Sequence, residues 1–193
     1  MTEKPNHKHK LVQNAIRLFR RKGYAGTGLN EILKNSGAPK GSLYYYFPEG
    51  KEQLGAQAVK VAAKTVLKTL EELEAKSNNG ADFIKQYCEM LAYWISASGY
   101  KDGCPITTTL LEMSAASKKI EKAGRDGFSQ WRTVFIRVLQ KDGLTEEDAK
   151  EMSLVLLSTI QGAILLTRVS RNTEALRAVG KHGYMRFEKT AAL

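Results

Sequence analysis

The stretch Ser36-Gly37-Ala38-Pro39-Lys40-Gly41-Ser42-Leu43-Tyr44-Tyr45-Tyr46-Phe47 puts a glycine where a chain can reverse and a proline, with its fixed φ, where a helix can open. Leu43 and Phe47 recur one turn apart, so both can be buried on one side of a short helix starting at Pro39 and closed by Pro48. Lys40, Gly41, Ser42, Tyr44, Tyr45 and Tyr46 are then left to the flank and outer face of that helix. Three consecutive tyrosines read either as a partly buried aromatic patch or as a row of hydroxyls presented outward.

Upstream of this stretch, Leu11, Val12, Ala15, Ile16 and Phe19 fall at i, i+1, i+4, i+5 and i+8, one apolar stripe of a helix that Gly23 ends. Thr27 suits the N-cap of a second short helix in which Leu29, Ile32 and Leu33 face inward. Three short helices with a glycine turn between the second and third match a helix-turn-helix, whose third helix enters the major groove of DNA. On this reading Lys40 reaches a phosphate or a guanine edge, Gly41 lets backbone come close, and the tyrosine hydroxyls reach phosphates or bases. Lys51 adds a positive charge beside the exposed amides that open the next helix. The expected DNA-contacting residues are thus Thr27, Lys40, Gly41, Ser42, Tyr44, Tyr45, Tyr46 and Lys51.

Charge agrees with that placement. The chain carries a formal +10, and residues 1–53 hold ten basic against four acidic side chains, so +6 of the +10 lies in the first quarter. Lys4 to Lys10 read as a basic arm, whereas Arg17, Arg20, Arg21 and Lys22 read first as a solvated helix face.

From Lys51 to about Lys76 a longer helix is expected, ended by Ser77-Asn78-Asn79-Gly80, with the domain boundary inside it: residues 1–54 for DNA and 55–193 for a helical ligand-binding and dimerisation domain. Phe83, Ile84, Tyr87, Cys88, Leu91, Trp94 and Ile95 form one further stripe, and Phe128, Trp131, Phe135, Val138 and Leu139 another. A short segment spans 106–113. Thr145-Glu146-Glu147-Asp148 resembles a capping box opening a helix over 146–168, so apolar over 154–166 that burial on two sides is expected. A last helix over 173–189 carries Leu176, Val179, Gly183 and Phe187. The fold class is therefore all-α, with about nine helices.

Tyr87, Leu91, Trp94, Trp131 and Phe135 line either a core or a ligand pocket. Thr108, Glu112 and Gln161, polar within apolar segments, would orient a ligand, face solvent or meet a second copy.

Other chemistries lack their constellations. Gly26-Thr27-Gly28 is followed by Glu31 where a dinucleotide fingerprint needs glycine, and Gly50-Lys51 by Glu52 where a phosphate loop needs Ser or Thr. With His7, His9 and His182 as the only histidines, no metal site, cofactor or catalytic residue is expected. No run approaches the roughly 18 apolar residues of a membrane span, and residues 1–10 contain no secretory segment. A cytoplasmic protein without a membrane partner is expected, with Cys88 and Cys104 as reduced core residues.

Gly23-Tyr24, Thr27, Glu31-Ile32, residues 36–47 and Lys51-Glu52-Gln53-Leu54 together resemble the DNA-binding domain of the TetR/AcrR family. Gly103-Cys104-Pro105 and 161–166 resemble its LmrA/YxaF-like subgroup. The resemblance implies a homodimer formed through the last two helices, bound to double-stranded operator DNA as a repressor and released by a small apolar inducer. A small-molecule-binding or scaffold protein of the same fold, without sequence-specific DNA binding, is the alternative. The chain departs from the family in having Pro39 where many members place a Ser or Thr cap, and one residue more than usual between Phe47 and Lys51.

Overall fold

The computed structural model describes residues 6–183, all of whose regular structure is helical. Nine helices follow in order: α1 (His7–Lys22), α2 (Leu29–Ser36), α3 (Lys40–Tyr46), α4 (Lys51–Lys76), α5 (Gly80–Ala97), α6 (Thr107–Met113), α7 (Lys118–Lys141), α8 (Glu146–Ser170) and α9 (Glu174–His182). The chain packs as two units. The first holds the residues up to Lys64 together with Pro105–Gly127, and the second holds Thr65–Cys104 with the chain from Phe128 onward.

In the first unit α1 lays its buried stripe, Leu11, Val12, Ala15, Leu18 and Phe19, against its neighbours α2, α3 and α6. Ile32, Leu43, Phe47, Leu54, Ile106 and Ile120 complete this core, each at most 2% exposed. α1 begins four residues before its apolar stripe, because the Asn6 side chain accepts from His9 N at 3.0 Å and caps it. Residues 7–10, expected as an arm, are thus its first turn; Lys4 and Pro5 lie outside the described residues.

The second unit is built on aromatic contacts. The rings of Phe83 and Phe135 meet at 5.9 Å and those of Phe128 and Trp131 at 5.3 Å, both edge-on. α9 packs on α5 and α8, with Leu176 and Gly180 buried. Cys88 and Cys104 are buried and not joined in a disulfide. Burial, with Glu89 adding to it, pushes the Cys88 thiol up to about 12, which removes thiolate reactivity at neutral pH.

Several boundaries fall where local chemistry puts them. α4 runs Lys51–Lys76 and stops at the Ser77 turn, and the Thr145 side chain accepts from Asp148 N to cap α8. α7 instead starts ten residues before Phe128, at Lys118, because the Ser117 hydroxyl accepts from Ile120 N at 3.2 Å. The last helix is described to His182; residues 184–189, Phe187 among them, lie outside the described residues.

The expectation that α8 is buried on two sides needs correction within a single chain. Leu156, Leu157, Ile160, Ala163 and Ile164 face the core, but Leu165, Leu166 and Val169 are exposed on the other side. Among the described residues α8 is the one helix long and apolar enough to cross a membrane, with a mean hydropathy of 1.6 over 18 residues, 39% of which are buried. Its apolarity is divided between a packed side and an open one.

Glu74 ties the end of α4 to α7. Its carboxylate accepts from Arg137 Nη2 at 2.5 Å and from Lys141 Nζ at 2.9 Å, and the Arg137 hydrogen bond in the first place holds the carboxyl below its ordinary value. A depressed carboxylate stabilises the fold above its unfolded value, near 4.3, and loses that contribution as pH falls toward the folded one. Glu74→Gln should therefore cost about 1 kcal/mol at pH 7, since both cations remain largely solvated, and lower the melting temperature by about 2–4 °C. The deficit relative to wild type should shrink in melts below pH 4; a deficit independent of pH would contradict the assignment.

Candidate nucleic-acid interface

The turn between α2 and α3 depends on Gly37, whose φ of 63° and ψ of 17° are left-handed, a conformation open to glycine at little cost. The buried Ser36 side chain braces it, donating to Leu33 O at 3.0 Å and accepting from Ala38 N at 3.3 Å. Pro39, at φ −59°, then sets the entry to α3. No side chain caps α3, as expected for proline in the cap position.

At 100° per residue, Lys40, Tyr44, Gly41 and Tyr45 share an arc of about 140° on α3. All four are exposed, Tyr44 by 49% and Tyr45 by 80%. Leu43 and Phe47, by contrast, are 0% and 2% exposed. Ser42 and Tyr46 lie half-buried on the flank, where the Tyr46 ring meets that of Tyr45 edge-on at 4.9 Å. The tyrosine run thus divides: two rings point outward and the third, half-buried, meets that of Tyr45.

Thr27 requires correction. It is fully buried, and its hydroxyl donates to Gly23 O at 2.8 Å. Gly28, not Thr27, precedes the first turn of α2, and no side chain caps that helix. Thr27 therefore holds the α1–α2 turn from inside and is not available to a ligand outside it.

Lys51 is half-buried, its ammonium 4.2 Å from the centre of the Tyr24 ring, a cation–π contact. Burial lowers its pKa, and the negative charge of Glu112 opposes that shift. Tyr24 is itself packed against Phe19 at 5.3 Å. In the loop before Lys51, Glu49 forms an ion pair with Lys119.

Some basic residues of α1 act within the protein. Arg17 donates to Asn35 on α2 at 3.2 Å, and Lys22 pairs with Glu31 at 2.6 Å. Contacts between residues this far apart left no local signal in the sequence.

The eight residues singled out for a ligand are divided between the units. Tyr87, Leu91, Trp94, Trp131, Phe135 and Gln161 belong to the second unit, Thr108 and Glu112 to the first. Tyr87, Trp131 and Phe135 are buried, and the Tyr87 and Phe135 rings lie 6.5 Å apart. Burial, with the two thiols adding to it, raises the Tyr87 phenol. Leu91, Gln161 and Thr108 are half-buried, and Trp94 is 48% exposed, at the edge of its stripe rather than within it. Glu112 is engaged elsewhere: its Oε2 accepts from Ala25 N at 2.5 Å.

Residues 11–58 match the family described as bacterial regulatory proteins, tetR family, and residues 80–182 match the LmrA/YxaF-like transcriptional regulator C-terminal domain. The chain is 36% identical over 169 residues to the HTH-type transcriptional regulator LmrA of Bacillus subtilis, covering 88% of this chain and 90% of that protein. It is 32% identical over 181 residues to the uncharacterized regulator YxaF of the same organism, covering 94% and 95%. The HTH-type transcriptional repressor DhaR of a Mycobacterium species is 28% identical over 182 residues, covering 91% and 89%. Among solved structures, reduced Escherichia coli NemR superposes with a TM-score of 0.80 at 25% identity, covering 92% of this chain and 94% of that one. A TetR regulator from Legionella pneumophila shares the fold, with a TM-score of 0.83 at 17% identity and coverage of 98% and 99%. With its helix-turn-helix and its LmrA/YxaF-like C-terminal domain, the chain belongs to the TetR family of transcriptional regulators, DNA-binding proteins and not enzymes.

Proposed function

We propose that this chain is a ligand-released repressor, working in the cytoplasm as a symmetric dimer that holds operator DNA through two copies of α3. The outward arc of α3 carries the reading: a lysine, two tyrosine hydroxyls and a glycine presented together on a helix anchored from behind by Leu43 and Phe47. Lys40 and Lys51 supply phosphate contacts, while Tyr44 and Tyr45 reach base edges or phosphates, with Gly41 allowing close approach. Two such helices in a dimer read half-sites one turn of duplex apart, about 34–36 Å.

A second copy is the occupant we assign to the open side of α8. Leu154, Leu165, Ser158, Val169, Gly162, Val155, Leu166 and Thr159 fall within an arc of about 140°, and every one of them is exposed. Bulky residues surrounding small ones suit helix-on-helix packing across a two-fold axis. A lipid-facing surface is a poorer fit, because Ser158 and Thr159 interrupt it.

The inducer is assigned to the second unit, whose aromatic residues Tyr87, Trp131 and Phe135, with the polar Gln161 on α8, suit a small apolar molecule. Release requires that the ligand bind a dimer shape with another spacing more tightly. Repression is supported by the name that DhaR carries.

Two experiments test this. In anisotropy titrations on a duplex selected from a random pool, Tyr44→Ala should weaken binding by about 1–3 kcal/mol, and Lys40→Ala or Lys51→Ala should each lower the salt slope by about 1. Wild type that discriminates no sequence would instead favour a scaffold or small-molecule-binding role. In sedimentation velocity, Leu165→Glu should convert a dimer to a folded monomer, because a like-charged pair of carboxylates would be buried at the two-fold face; a dimer that persists would move the interface away from α8.

A further inference from the structure

Glu112 stands in α6, 87 positions along the chain from the backbone amide that it binds. Its Oε2 accepts from Ala25 N at 2.5 Å, in the turn joining α1 to α2. The other carboxylate oxygen lies against Gly23: a Cβ added there would fall 1.9 Å from Oε1. Gly23 has a φ of 77°, a conformation that favours glycine, and the carboxylate closes over it.

That turn is stiff. Thr27 N donates to Tyr24 O at 3.2 Å and the Thr27 hydroxyl to Gly23 O at 2.8 Å, so a displacement of Ala25 carries through to Gly28 and the first turn of α2. Beside it the Tyr24 ring receives the Lys51 ammonium, whose charge Glu112 also stabilises. Two more contacts join the same segment to the start of α4: the Ser117 hydroxyl donates to Glu52 at 2.5 Å, and Lys119 pairs with Glu49. In the chain, residues 105–127 are inserted between two stretches of the second unit.

We infer that Glu112 is a positioning residue for operator binding, which by holding the Ala25 amide sets the pose of α2 and α3 and couples it to α6. Loss of the carboxylate frees the turn without disturbing the apolar core of α1, α2 and α3, so discrimination between sequences falls while general affinity for duplex is kept. The inference rests on the operator-binding reading above.

The test uses the full chain and two variants, Glu112→Ala and Glu112→Gln, since glutamine keeps a carbonyl acceptor for Ala25 N while losing the charge. Anisotropy titrations measure the ratio of affinities for a selected operator and a scrambled duplex, and hydrogen exchange follows the Ala25 amide. Glu112→Ala should lower the ratio about tenfold and speed exchange at Ala25, as expected for one lost charge-assisted hydrogen bond. Glu112→Gln should stay within about threefold of wild type. A purely stabilising role would instead lower the melting temperature and weaken binding to both duplexes alike. Wild type that selects no sequence overturns the operator reading, and this inference with it. Wild type that selects a sequence which Glu112→Ala binds equally well, with unchanged Ala25 exchange, overturns the inference alone. Were Glu112→Ala not to fold, Glu112→Asp, one methylene shorter, takes its place: a lower ratio with faster Ala25 exchange supports the inference, and an unchanged ratio with unchanged exchange overturns it.

Discussion

A helix of two turns cannot hold itself in water, because the cost of ordering its backbone exceeds what so few hydrogen bonds return. α3, seven residues long, exists because Leu43 and Phe47 are driven into the core beneath it. Complete burial of two such side chains contributes on the order of 3–6 kcal/mol, enough to fix the helix and the direction in which its remaining residues point. The glycine turn, the proline entry and the bracing of Ser36 refine a placement that these two anchors determine. Everything ascribed to Lys40, Tyr44 and Tyr45 follows from that one-sided attachment.

The surrounding polar contacts serve a different end. Arg17 to Asn35, Lys22 to Glu31, Ser117 to Glu52 and Glu112 to Ala25 join segments distant in sequence. The exposed ones among them add little stability singly, but each contact removes a direction in which one segment could slide over another. The hydrophobic core keeps the first unit folded, and the polar contacts choose which of its closely related packings is populated. Such a division suits the ligand-released repressor proposed above.

Local chemistry was readable in the sequence and distant chemistry was not. The ends of α4, the cap at Thr145 and the glycine turn at 37 are decided by neighbours within four residues, and a linear reading finds them. Leu43 and Phe47 were legible as buried because apolar periodicity reports the inward side of a helix. Thr27 was misplaced because a threonine before a helical stripe has two equally local uses, capping the helix or bonding back to the previous turn. The structure takes the second, donating to Gly23 O. For α8 the limit is a related one: periodicity shows that a helix is apolar on two sides, not whether its own chain covers both. Glu112 stays open in the sequence between orienting a ligand, facing solvent and meeting a second copy, for nothing near it points to the amide of Ala25.

The division of α3 into anchors and outward residues has an evolutionary consequence. Positions 40, 41, 44 and 45 make little packing contribution, and exchanges at exposed sites of this kind usually alter stability by no more than about 0.5 kcal/mol. A duplicated gene can therefore vary those four letters freely while the scaffold beneath stays legible to the folding process. New vocabularies of recognition are open to paralogues of this chain at almost no thermodynamic risk, so divergence should accumulate there before it touches residues 43 and 47.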